Sequence, residues 1–85
     1  MNIDRATDTV MAYVRDEIAN ARDKFPSPVG LLAALGEEYG ETCKAMLDEP
    51  MSRVEAEAIQ VACVAIRLAV EGDPSLDGLR KEKGL

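Results

Sequence analysis

The chain has no histidine, no tryptophan and only two cysteines, Cys43 and Cys63. Without histidine there is no imidazole to act as a general base, and no Cys/His set of the kind that holds structural zinc. Two cysteines are too few for the disulfide framework that staples small secreted domains. Both are expected as buried thiols in a reducing cytoplasm. Nucleophilic catalysis by either thiol would lack its histidine partner. Aromatics are scarce too: Tyr13, Phe25 and Tyr39 are the full set. The core must therefore come from Leu, Val, Ile, Met and Ala, a palette that suits helices better than sheets. Positive charge is in deficit, with 10 Lys and Arg against 16 Asp and Glu and a net charge of −6. Such a surface repels a phosphate backbone, which argues against a nucleic-acid partner. Long apolar runs are missing as well. The longest, Ala58 to Val70, is 13 residues and carries Gln60 and Arg67. That is too short and too polar to span a membrane. The N-terminus is polar, with Asp4, Arg5 and Asp8, and offers no apolar segment of a secretory signal. The expectation is a cytoplasmic protein with neither a nucleic-acid nor a membrane partner.

Eighty-five residues make one domain, residues 1–85, with little core of its own. With no disulfide or zinc staple, oligomerisation is the usual remedy for so short a chain, so a homo-oligomer is expected. Three helices are predicted, at about 4–24, 28–47 and 52–72, followed by a short basic tail at 74–85. In the first, Met11, Val14, Ile18, Ala21 and Phe25 recur at alternating steps of three and four and form one apolar stripe. Pro26 and Pro28 interrupt the ladder. Ser27 is placed as the next N-cap, with Pro28 in the first helical position. In the second helix Leu31, Leu35, Tyr39, Cys43 and Met46 are assigned to one buried face. Gly36 and Gly40, one turn apart, mark either a close helix crossing or room for a ligand. Ser52 and Glu55 fit a capping box for the third helix, and Gly72 and Pro74 stop it. The third helix is apolar nearly all round, which predicts a buried central helix. Glu57, Gln60, Val64 and Arg67 draw a polar line down it. Arg80, Lys81 and Lys83 in the tail form the one basic cluster, either a solvated end or a reach over a phosphate-binding cleft.

Four polar residues stand where a small helical protein should be apolar: Glu38, Glu41, Glu57 and Gln60. Each pair is spaced i, i+3 and so shares a helix face. The turn between the second and third helices is short, which makes them antiparallel neighbours. Both pairs lie at similar distances from that turn and so at one level. Three carboxylates and an amide facing one another are costly to bury without a cation. A hard-oxygen site of this type suits magnesium, or manganese, better than zinc. Magnesium commonly bridges to phosphate, so the ligand class is a phosphate ester or anhydride. The alternative is a solvated face on which these glutamates pair with Lys44 or Arg53.

Glu37-Glu38-Tyr39-Gly40-Glu41, followed sixteen residues later by Glu57-Ala58-Ile59-Gln60-Val61, resembles the EExxE…ExxD signature of the MazG-like, all-α nucleoside triphosphate pyrophosphatases. The similarity covers roughly residues 10 to 72 and fits short members of that superfamily, including phage-type ones. The resemblance implies an all-α fold: an antiparallel helical hairpin plus an N-terminal helix, assembled into a four-helix-bundle-type dimer or tetramer. It implies hydrolysis of a nucleoside triphosphate to the monophosphate and pyrophosphate, with Mg2+ held by the motif carboxylates. Carried over, Glu38, Glu41 and Glu57 bind metal, and Glu37 is a further ligand or orients the attacking water. Gln60 departs from the signature's Asp, offering a carbonyl oxygen but no charge. Without histidine, a glutamate must act as base. Lys44 and Arg67 are candidate phosphate contacts; otherwise they are a surface lysine and an arginine paired with Glu71 or a neighbouring chain. Tyr39 is assigned to the core. The alternative function is a catalytically weak or inactive helical module that binds a nucleotide or a protein partner.

Overall fold

A computed structural model describes residues 1–85. The chain is all-helical, in the order α1 (Ile3–Lys24), α2 (Leu31–Asp48), α3 (Met51–Glu71), a 3-10 turn (Pro74–Leu76) and α4 (Asp77–Glu82). No helix is long and apolar enough to cross a membrane. Helices α2 and α3 form a hairpin, and α1 packs on α3. Helix α3 is thus the common partner, as its apolar sequence foretold. It is not buried all round, however: only Cys63 and Arg67 on it are fully covered, while Ile66 and Val70 face solvent.

The start signals of α2 and α3 differ from those expected. Helix α2 begins at Leu31, after Gly30, whose φ of 90° is left-handed and suits a residue without Cβ. The cap comes from far along the chain. Asp73 accepts from the Gly30 and Leu32 backbone N–H groups at 3.0 and 2.9 Å, and from Ser75 N and Oγ at 3.0 and 2.6 Å. Ser27 Oγ instead accepts from Val29 N, within the loop. An anionic oxygen at a helix N-terminus satisfies orphan donors and meets the positive end of the dipole. These hydrogen bonds hold the Asp73 carboxyl far below the usual carboxylate range. Helix α3 starts directly after Pro50, whose carbonyl accepts from Arg53 N and Val54 N. Ser52 therefore lies inside the first turn, and no capping box forms. The stop at Gly72 holds: its φ is 71° and its N–H donates to Leu68 O.

The buried face of α2 is rotated one residue from the expected one. Leu31, Leu35, Glu38, Thr42 and Ala45 face inward at least in part, whereas Tyr39, Cys43 and Met46 are exposed. One residue is about 100° of rotation. The fully covered side chains of the hairpin include two small ones, Ala45 on α2 at 0% and Cys63 on α3 at 1% exposure, while the larger Tyr39 and Met46 lie outside at 66% and 64%. Cys43 is consequently no core thiol. Cys63 is one, and burial first, then the charge of Glu17, pushes its thiol up from its ordinary pKa.

Candidate acidic cleft

The rotation of α2 places Glu38 on the inner face, half-buried, opposite α3. Glu37, Glu38, Glu41 and Glu57 line one cleft of about 530 Å³ together with Gly36 and Gly40, and no apolar side chain contributes to its wall. The hairpin accounts for this assembly. The i, i+3 pair Glu38 and Glu41 on α2 meets Glu57 of its antiparallel neighbour α3 at a similar distance from their turn. Burial raises the Glu38 carboxyl above its ordinary value; the carboxyl of Glu57 beside it and the charges of Glu41 and Glu37 add to the shift. Like charges gathered in a partly desolvated place oppose ionisation.

The expected set is not complete. Gln60 turns to α1, where its Nε2 donates to Glu17 Oε2 at 2.7 Å. Glu57 accepts from Arg53 Nη2 at 2.6 Å. Lys44 lies outside the cleft, 3.6 Å from Glu49 near the hairpin turn. Arg67 is 2% exposed, and its Nε and Nη2 donate to both oxygens of Glu71 at 2.8 Å. The donor chemistry fits a hard divalent cation. The side chains as they stand form no group of three that could hold a metal ion, with Glu57 drawn to Arg53 and Gln60 to Glu17.

No family model, curated protein or solved structure matches this chain. The chemistry of the cleft therefore stands on its own residues and on the motif they spell.

A second pocket, of about 460 Å³, shares Glu37 and Glu38 with the cleft. Phe25, Val29, Ala34 and Val64 supply its apolar wall, and Gln60 and Arg67 also border it. Sequence reasoning placed Phe25 on the α1 stripe and did not single out Val29 at all. Asp73 stood only as the residue between the helix-stopping Gly72 and Pro74. Yet it pins the loop that carries Val29, and the one local hint was an Asx residue before Pro74-Ser75.

The two helical glycines take on a specific role here. A Cβ on Gly36 or Gly40 would meet nothing within 4 Å. Close helix crossing therefore does not require them, and both border the acidic cleft. Gly36→Ala and Gly40→Ala are each expected to raise stability by about 0.5–1 kcal/mol, because alanine loses less entropy in a helix. Each methyl group also intrudes on the cleft wall. Thermal melts beside ligand titrations check the pair: a higher Tm with weaker binding is the expected combination, and a higher Tm with unchanged binding removes the glycines from the site.

Proposed function

We propose that this chain is a magnesium-dependent nucleoside triphosphate pyrophosphohydrolase, acting in nucleotide-pool house-cleaning as a homo-oligomer. The single observation that carries the reading is the convergence of Glu37, Glu38, Glu41 and Glu57 on one apolar-free cleft, in an order and spacing that resemble the MazG-like signature. The neighbouring apolar pocket supports it, because a nucleotide needs a place for a flat base beside the place for its phosphates.

Glu38, Glu41 and Glu57 would hold Mg2+, with Glu57 parting from Arg53, and Gln60 would add a neutral oxygen. The ion would neutralise phosphate charge and lower the pKa of a bound water. Without histidine, a glutamate of the cleft would act as the base. Glu37, on the exposed side of the same turn, would orient the attacking water. Positioning and electrostatics carry most of a phosphoryl transfer, so no covalent intermediate on the protein is needed. Arg67 and Lys44, already paired with Glu71 and Glu49, are weaker candidates for phosphate contacts than their charge suggests.

One observation favours the alternative of a nucleotide-binding or protein-binding module with little catalysis. Gln60 is engaged by Glu17, and no three acidic groups stand ready for a metal. Pyrophosphate release from a panel of ribo- and deoxyribonucleoside triphosphates, with Mg2+ or Mn2+, separates the two. Release by the folded protein is expected; binding without release would establish the module instead.

A further inference from the structure

The apolar pocket beside the acidic cleft has a cation at its far end. Along α3 it runs from Gln60 past Val64 to Arg67, while Glu37 and Glu38 border both the pocket and the cleft. Helices α2 and α3 are antiparallel, so Glu38 lies level with the Gln60 end and Arg67 lies under the loop that leads into α2. Seven residues of helix, about 10 Å, separate Gln60 from Arg67. That is comparable to the reach of a nucleotide from its first phosphate to the far edge of its base. Phe25, Val29 and Ala34 line the stretch between with apolar surface.

Arg67 is a built part of this wall, only 2% exposed. Its Nε and Nη2 donate to the two oxygens of Glu71, both at 2.8 Å, which fixes the plane of the guanidinium. Nη1 is left over. Every buried side-chain nitrogen of the protein has a hydrogen-bond partner, whereas Nη1 has none, so Nη1 touches open space. The pocket is the open space that Arg67 borders. Its charge is already met by Glu71. A phosphate at this depth would leave water for an apolar wall, at a high cost. A neutral acceptor asks only for the free N–H groups.

With the phosphates at the cleft, the far edge of the base carries the C4 substituent of a pyrimidine or the C6 substituent of a purine. In uracil, thymine and guanine this is a carbonyl oxygen, an acceptor; in cytosine and adenine it is an amino group, a donor. A donor set against Nη1 leaves both groups unpaired away from water. We propose that Arg67 is a specificity-determining residue whose Nη1 selects nucleotides with a carbonyl at this edge of the base. This role rests on the pyrophosphohydrolase reading for one thing, the phosphates in the acidic cleft. It gives Arg67 to the base instead of the phosphates.

Analogues with a methylene between the α- and β-phosphates, which the proposed reaction cannot cleave, separate binding from turnover. The UTP and CTP forms differ in the C4 edge, the ITP and ATP forms in the C6 edge. Calorimetric titration of wild type with Mg2+ should show the UTP form binding about 10- to 100-fold tighter than the CTP form, and the ITP form tighter than the ATP form by a similar factor, as one hydrogen bond to a charged group supplies. Arg67→Met, with its helicity checked by circular dichroism, should bring both ratios close to one. The unaltered protein carries a second reporter, which serves even where the variant does not fold. In 15N spectra the Arg67 guanidinium resonances should shift with the UTP form and stay in place with inorganic pyrophosphate. Equal affinities within either pair overturn the proposal and leave the enzyme reading standing. So do ratios that persist in folded Arg67→Met, or resonances that shift as far with pyrophosphate. If none of the analogues binds, the nucleotide reading of the cleft falls, and the role of Arg67 with it.

Discussion

Glu38→Gln is expected to lower pyrophosphate release at least about 100-fold, the size reached when one preorganised charged or dipolar group is taken from a reacting centre. The same substitution should leave the Tm at neutral pH unchanged or higher. The two halves of this expectation have one cause. Glu38 is half-buried among Glu37, Glu41 and Glu57, and its pKa is raised. A carboxylate whose folded pKa is raised favours folding in its protonated form; that contribution is present at low pH and lost as pH rises through the folded value. At neutral pH the ionised side chain opposes folding, and an amide of the same shape removes the opposition. An ordinary surface glutamate would give no change in either assay. A glutamate needed for packing would give a loss in both. Loss of activity with retained or increased stability is the signature of charge gathered for a ligand. Added Mg2+ sharpens the comparison: wild type should gain Tm from the ion and Glu38→Gln should gain less. If release survives in Glu38→Gln, the cleft is not the reacting centre.

The extent to which this arrangement was legible in the sequence depended on the range of the interaction. Periodicity located three helices, and the short turn made α2 and α3 neighbours. From these alone Glu38, Glu41 and Glu57 could be set at one level. What failed was rotation and long-range capping. Leu35, Tyr39 and Cys43 recur as regularly as Leu35, Glu38 and Thr42 and are more apolar. A hydrophobicity argument chooses the first; the fold turns the second inward, with Ala45 beyond them fully covered. That choice made Glu38 an inward-facing residue and left Tyr39 at 66% exposure. The Asp73 cap joins positions more than forty residues apart, beyond any local motif. Gln60 was expected to look across at α2, because its neighbours on α3 were known and Glu17 on α1 was not suspected.

Arg67, a candidate phosphate contact that pairs with Glu71, offers a stability test. Read as a phosphate contact, it should be dispensable to the fold: Arg67→Met would weaken substrate binding and leave the Tm alone. Its surroundings favour the opposite outcome. The guanidinium is 2% exposed and held by two bonds to Glu71, which also accepts from Arg22 Nε at 3.2 Å. The Arg67 and Arg22 hydrogen bonds lower the Glu71 pKa from 4.5 to about 2. For a depressed carboxylate the stabilisation is complete above the unfolded value and disappears as pH falls from about 4.5 towards 2. Glu71→Gln leaves a buried cation without its counter-charge, the more damaging way to break such a pair. The Tm should fall at neutral pH. Wild type should lose stability on acidification over that same interval, and Glu71→Gln should lose much less there. Arg67→Met removes the buried charge, keeps apolar volume and leaves Glu71 with Arg22, so its Tm should fall less than that of Glu71→Gln. The order of the two melting temperatures decides the matter. If Arg67→Met is the more damaging, packing around the arginine outweighs its charge. If neither moves the Tm while Arg67→Met raises KM, Arg67 belongs to the substrate after all.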